Sequence, residues 1–393
     1  MENNNSVAFI TKIKSITPIE GADKIELATC EGWTSVVQKG VHKTDDLVLC
    51  ITTDAVIPDE LAEKWNVKTY LRTRCQDPNT KFAKSILCVR TVKLKGVYSE
   101  CILIPLVDVR PSLYSGLVNP GLDMMNILKI FKYEPPVRNL QLSNGRKIKY
   151  KSNLNFHIYH KFPNIKNKPS MFKDGELVSI STKYHGTNAR YGIVKKSKLS
   201  LLDKIKRFFG NKLAEYEYVY GSHNVEKGSD TNGFYSTDVW KEVADKHNLK
   251  KLLWDYVKLF AEYDNLKNVG SGIILYGEII GPQIQGEYTY NLKERDIIFF
   301  DVELDSKYVG DSSFEMIMNE LEINTNNYIA PLFYNYNEDE IKKMATNIFI
   351  EGTKIPHEGL VVKSLDGDRS KIAKFINPDY LIYAEKHNVP DSH

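Results

Sequence analysis

Cysteine is scarce in this 393-residue chain and confined to its first third, at Cys30, Cys50, Cys75, Cys88 and Cys101. None forms a C-x-x-C pair and the count is odd, which argues against a zinc site and against a disulfide framework. Buried reduced thiols in a cytoplasmic or nuclear protein are the expectation. Long apolar runs are missing too. No window approaches the length that spans a bilayer, so no membrane partner is expected. The opening MENNNSVAF has neither a basic nor an apolar leader region, so secretion is not expected. Strong net charge is also lacking: 53 Lys and Arg against 50 Asp and Glu leave +3, and overall charge points to no partner.

Local charge says more. Residues 146–173 hold eight Lys or Arg and no acid, and residues 195–212 hold seven basic residues against Asp203 alone. Two such runs point to a polyanion, the plain alternative being a solubilising surface. Within the second run, LSLLDKIKRFF (199–209) reads as a short amphipathic helix that could ride on nucleic acid or merely decorate the surface. Hydrophobic content of 42% and charged content of 26% are those of an ordinary globular protein, and the length suits two or three domains.

The first ~105 residues read as short strands: 6–13, 24–32, 33–40, 46–54, 81–96 and 97–106, rich in Val, Ile and Leu. Five or so such strands suggest a small closed barrel, and the pattern is similar to that of OB-fold nucleic-acid-binding domains. LDMMNILKIF (122–131) suits one helix, bounded by YEPP, which cannot continue it. The domain boundary is placed there, giving residues 1–133 and 134–393. The second part alternates strands and helices, so the chain is α+β. Residues 236–263 have a helical apolar period, with Ser236 or Thr237 as the cap. Residues 272–280, 295–304, 359–364 and 371–376 are compact β-rich runs.

The chemistry gathers in the second part. STKYHGTNAR (181–190) places Lys183 at the end of a strand, before a turn of small polar residues. Lysine attacks carbon or phosphorus only when deprotonated, which nearby positive charge or burial favours. Gly186 lets the backbone approach a ligand, while Thr187 and Asn188 can bond a sugar or the turn. Glu278 interrupts the apolar run GEIIG and Glu358 begins EGLVVK; carboxylates in buried strands need a cation or a hydroxyl as partner. RSKIAKFI adds Lys371 and Lys374, and IIFFDV supplies aromatics able to stack on a base. Together they form a kit for a purine nucleotide, its phosphates and a divalent metal.

These residues resemble the covalent nucleotidyltransferase superfamily of ATP-dependent DNA ligases, RNA ligases and capping enzymes. KYHGTN (183–188) resembles motif I, GSHN (221–224) motif Ia and LYGEIIG (275–281) motif III. IIFFDVE (297–303) resembles motif IIIa, EGLVVK (358–363) motif IV and KIAKF (371–375) motif V. The His-Gly-Thr-Asn form is similar to RNA ligases. An N-terminal OB-like barrel before an adenylyltransferase domain, an ATP-grasp-like two-sheet fold, resembles the fifth RNA ligase family.

The resemblance implies that Lys183 takes AMP from ATP, passes it to an RNA 5′-phosphate, and that a 3′-OH then displaces it. It implies Glu358 and Glu278 at Mg2+ or Mn2+, Glu278 also at the ribose, and His185 at the phosphate steps. Thr182, Gly186, Asn188 and His223 would line the nucleotide pocket. One of Phe299 and Phe300 would stack on adenine, since strand alternation points them oppositely, with Val361 on the other base face. Lys374 would contact the α-phosphate, with Lys363 and Lys371 as further phosphate candidates. Two departures from the family pattern stand out. His223 occupies a position where an arginine is usual, and Lys371 and Lys374 are spaced so that only one can face the site. The implied partners are RNA ends at nicks in duplex RNA or RNA/DNA, handled by a monomer in RNA repair, circularisation or defence. An inactive RNA-binding relative, a DNA ligase or a guanylyl-transferring enzyme are the alternatives.

Overall fold

A computed structural model of the chain describes residues 6–75, 85–109, 118–133, 153–223, 225–226, 238–262, 269–286, 288–387 and 389. In the N-terminal part strands form within the expected runs, but 81–96 yields two, Ser85–Val89 and Val92–Leu94, and 97–106 yields Val97–Ser99 and Cys101–Pro105. Ser15–Pro18, Ala55–Ile57 and Leu71–Cys75 are strands not expected from the sequence. Leu47–Thr52 lies between Ala8–Lys12 and Cys101–Pro105, antiparallel to both, and is buried from Val48 onward. A second sheet runs Phe131–Lys132, Ala55–Ile57, Ser85–Val89 and Leu71–Cys75, and a third joins Ser15–Pro18, Ile25–Cys30 and Trp33–Gln38. Among the described residues the pairing is divided among these small sheets and the hairpin of Val92–Leu94 with Val97–Ser99. Individual bonds join the first and third sheets: Lys14 N–H to the Thr29 carbonyl and Glu100 N–H to the Thr34 carbonyl, both 2.8 Å. Cys30, Cys50, Cys88 and Cys101 are buried in this part, as small apolar packing groups.

The helix expected over 122–131 is cut to Met125–Leu128. Lys129 adopts a left-handed conformation with φ 55°, which stops it, and Phe131 then pairs with Val56 as a strand. Apolar residues here serve two elements in succession. The long helical pattern of 236–263 is likewise two helices, Val239–Lys246 and Leu249–Glu262, broken at Asn248 with φ 51°. Asp238 caps the first by accepting from Lys241 N–H at 3.1 Å; the expected caps Ser236 and Thr237 lie outside the described residues.

Two antiparallel sheets carry the chemistry. One has the order Leu332–Asn335, Leu177–Lys183, Gly359–Lys363, Ile372–Ile376. The other runs Tyr216–Gly221, Thr187–Lys195, Gly272–Ile280, Asp296–Leu304, Lys307–Tyr308. Val178, Ile180, Leu360, Val362, Ala373 and Phe375 cover one face of the first sheet and pack under the helix Glu338–Ala345. Ala189, Tyr191, Ile193, Ile273, Leu275, Ile297 and Phe299 cover the outer face of the second, under the two helices of 239–262. Period-two alternation leaves the remaining faces of the two sheets turned towards each other.

The final helix, Pro378–His387, ties the parts together. Its Asp379 accepts from Tyr98 Oη at 2.7 Å and pairs with Lys93 at 3.3 Å, and its Glu385 pairs with Arg90 at 3.0 Å. A second tie is a buried ion pair between Lys166 and Glu100. Lys166 comes from the basic run 146–173, so that residue serves packing; residues 146–152 lie outside the described ones.

Candidate active site

Register places the candidate residues. On the first sheet Lys183 pairs with Gly359, Ser181 with Val361, and Val361 with Lys374. Lys183, Val361, Lys363 and Lys374 therefore share the face turned to the cleft, while Thr182 and Lys371 fall on the opposite face. Thr182 sits in line with Val178 and Ile180, away from the lysine. Lys371 is drawn off to the surface, its Nζ 2.6 Å from Glu176 Oε1. Neither lies where the resemblance implies.

Lys183 Nζ lies 2.7 Å from Glu358 Oε1. Glu358 is fully buried, and its other oxygen is 3.8 Å from His185 Nδ1. Burial alone would raise the Glu358 carboxyl, but the Lys183 ammonium and His185 outweigh it and hold the group well below the usual carboxylate range. Glu278, on the facing sheet opposite Asn188, behaves differently. Burial, reinforced by the Glu358 charge, pushes it up to about 8 despite Lys183 and a 3.1 Å bond from Gly186 N–H. One carboxylate thus serves Lys183, and the second is held protonated at neutral pH. Lys374 is lowered to about 8, first by burial and then by the charge of Lys183.

Gly186 is needed for the neighbouring strand: a Cβ there would lie 2.2 Å from the Ile279 carbonyl oxygen. Its backbone approaches protein, where the sequence suggested a ligand. The turn after Lys183 is also shorter than it reads, because Thr187 and Asn188 already belong to the strand Thr187–Lys195.

His185 is fully enclosed, its backbone N–H donating to Tyr290 Oη at 2.7 Å and its Nδ1 3.0 Å from Tyr380 Oη. It stands behind Glu358. His223 is half-buried, and burial with the nearby charges of Arg190 and Lys161 lowers its pKa, favouring the neutral ring.

The two phenylalanines separate cleanly. Between Tyr276 and Gly277 the register shifts: Tyr276 faces Asp301 and Gly277 faces Phe299, leaving Phe300 as the extra residue of a β-bulge. Phe299 is fully buried, edge-on to Tyr191 in the outer core, and is not available to a base. Phe300 turns into the cleft beside Tyr159, with ring centroids 5.1 Å apart, in the same apolar cluster as Val361. The bulge also swings Asp301 inward, where Arg369 grips both its oxygens at 2.8 Å and Tyr159 Oη donates at 2.7 Å. Lys363 is committed here as well, 2.8 Å from Asp311 with both side chains buried.

Sequence reasoning did not find Tyr159, Arg190, Asp301, Asp311 or Arg369. Arg190 had a signal: an arginine inside the apolar strand ARYGIV must be paired or bonded. Its guanidinium donates to the carbonyls of Ser222, Phe156 and His157 at 2.7–2.9 Å, fixing the rim around His223.

Several buried polar atoms lack a directed hydrogen bond here: His185 Nε2, Asn188 Oδ1 and Glu358 Oε2. Such clustering is rare in a finished core and marks a place built for a ligand. Among the described residues no group of three or more His, Cys, Asp or Glu could by itself hold a metal. Glu358 and Glu278 suit a hard cation that keeps water and takes further oxygens from phosphate.

A model of the RNA ligase family matches residues 176–376, more than half of the chain, and a model of an OB-fold domain matches residues 7–106. The chain belongs to the RNA ligase family, and its N-terminal part is an OB-fold domain. Among solved structures, a mutant of Naegleria gruberi RNA ligase in its apo form superposes with a TM-score of 0.67 at 22% identity, over 98% of this chain and 99% of that one. Naegleria gruberi RNA ligase with PPi gives 0.65 at 23% identity over 98% and 99%. A mutant of the same ligase with ATP and Mn gives 0.67 at 22% over 97% and 99%. At this identity the likeness shows a shared fold. Comparison with curated proteins gave no match.

Proposed function

We propose that this protein is an ATP-dependent ligase that joins a 3′-OH to a 5′-phosphate at nicks in duplexes carrying RNA on the 3′-OH side. The observation that carries the reading is the Lys183 amine held 2.7 Å from buried Glu358 on a cleft face shared with Lys374. The ATP, AMP and PPi bound by the Naegleria gruberi structures support the nucleotide assignment.

In the first step the Lys183 ammonium releases a proton to water, its lone pair attacks the α-phosphorus of ATP, an N–P bond forms, and the P–O bond to pyrophosphate breaks. Glu358 orients the amine, and His185, itself held by Tyr380, orients Glu358. Lys374 meets the α-phosphate oxygens as charge builds on them. Phe300 and Val361 take the two faces of adenine, and Asn188 and His223 reach the sugar or phosphate edge. Burial favours the neutral form of Glu278 in the free enzyme, and that proton would be displaced by a cation arriving with the nucleotide. A divalent cation, Mg2+ or Mn2+, would be held by Glu358 and Glu278 and would neutralise charge around phosphorus. The lysine-bound AMP then passes to an RNA 5′-phosphate, and the 3′-OH displaces AMP to seal the strand.

The domain division falls between residues 133 and 134, with the OB-fold part clamping the duplex backbone. The protein acts as a monomer in the cytoplasm or nucleus. The test is incubation with α-labelled ATP or GTP and a divalent cation. Acid-stable label from ATP, lost in Lys183→Ala, is expected. Label from GTP alone would make it a capping-type enzyme. No label with RNA binding intact would make it a binding protein.

A further inference from the structure

The helix Leu201–Phe208 is mounted with its polar side towards the protein. Its charged edge is fastened to the body: Asp203 accepts from Lys196 Nζ at 2.7 Å, and Arg207 pairs with Glu215. Ser200 and Asp203 close a capping box that fixes its start. The other edge carries Leu201, Ile205 and Phe208 at helical spacing, with Leu202 and Phe209 beside them. They are 75%, 45%, 86%, 68% and 80% exposed, and no residue of the helix is buried. An ordinary surface helix does the reverse and lays its apolar stripe on the core. Lys204 and Lys206 border the stripe, one on each side, and no ion pair engages them among the described residues.

We infer that this helix is a docking surface for an anionic lipid bilayer. A row of Leu, Ile and Phe bordered by lysines fits the interface of an acidic membrane. The apolar side chains enter the acyl boundary, while the lysines extend to the headgroups. A nucleic-acid backbone would engage the lysines and leave five large apolar side chains in water. Among the described residues no helix is long and apolar enough to cross a membrane, so the contact is peripheral. One short helix binds reversibly, which makes the ligase recruitable to an acidic surface without being fixed there.

The test floats the full-length protein with phosphatidylcholine vesicles that either contain or lack phosphatidylserine, with labelling by ATP as a check on the fold. Wild type is expected to rise with the phosphatidylserine vesicles and to be released by salt. The Phe208→Ser/Phe209→Ser double variant, altered only at exposed positions, is expected to label normally and partition at least about tenfold less. Lys204→Gln/Lys206→Gln is expected to lose about thirtyfold on the same vesicles. Wild type that stays in the soluble fraction, or a double serine variant that floats equally, overturns the proposal. It also fails if the double serine variant loses RNA affinity without any vesicle binding, which would assign the helix to nucleic acid. Concentration-dependent dimerisation abolished by the same variant, again without vesicle binding, would assign it to a second copy of the chain.

Discussion

Lys374 offers the sharpest test of the site, because its charge should matter most at the α-phosphate and should fade within an accessible pH range. Burial and the neighbouring Lys183 lower it to about 8, so it carries its proton at pH 7 and has largely lost it by pH 9. The protonated fraction falls from about 0.9 to about 0.1 across that interval, roughly tenfold. A unit charge ~4 Å from a phosphate oxygen contributes about 4 kcal/mol at the effective dielectric of a protein cleft. Other cations share the phosphate, so Lys374→Met is expected to lose about 2–4 kcal/mol, or roughly 30- to 1000-fold in the rate of labelling from ATP. Lys374→Arg stays protonated throughout. The Arg-to-wild-type rate ratio should therefore climb about tenfold from pH 7 to pH 9. Any requirement of Lys183 for alkali cancels in that ratio. The assay is single-turnover labelling with α-labelled ATP over that pH range, at ATP concentrations well below saturation, where the rate follows the titration of the free enzyme. A Lys374→Met variant within threefold of wild type at neutral pH, or a flat ratio across the range, would refute the placement of this lysine at the reacting phosphate.

The paired phenylalanines should part in behaviour: Phe299→Ala is expected to destabilise the fold by about 3–5 kcal/mol in denaturant titration. Phe300→Ala should fold normally and raise the KM for ATP about tenfold, as loss of base stacking would. Asp301→Ala strands the buried Arg369 guanidinium and should cost about 3–5 kcal/mol in the same titration, with Asp301→Ala/Arg369→Leu recovering part of it. Tyr380→Phe removes the partner of His185 Nδ1 and should slow labelling about three- to tenfold, with the melting temperature nearly unchanged. Melting unchanged together with unchanged labelling would show that His185 needs no such support.

Strand-forming stretches were legible because Val, Ile, Leu and aromatic residues concentrate in short compact runs, and the runs 272–280, 295–304 and 371–376 lie within a residue of the strands that form. Alternation alone also separates Lys371 from Lys374. What stayed hidden depends on contacts distant in the chain. The bulge at Phe300 arises from a register shift against Tyr276 and has no residue-type signature of its own. Asp301 and Arg369 are 68 residues apart, and only the folded sheets bring them together. The broken helices follow from Lys129 and Asn248 adopting positive φ: lysine gives no sign of it, while asparagine tolerates that conformation and was a stop signal masked by the helical period around it.

The last helix of the described chain has a consequence of its own. A ten-residue rod spans two bodies: its carboxylates are hooked to the barrel through Tyr98, Lys93 and Arg90, and its Tyr380 touches the imidazole behind the lysine. Any load that tilts the barrel is delivered by this lever to the seat of the reactive amine. The seating of the N-terminal part and the position of the amine therefore cannot be tuned apart.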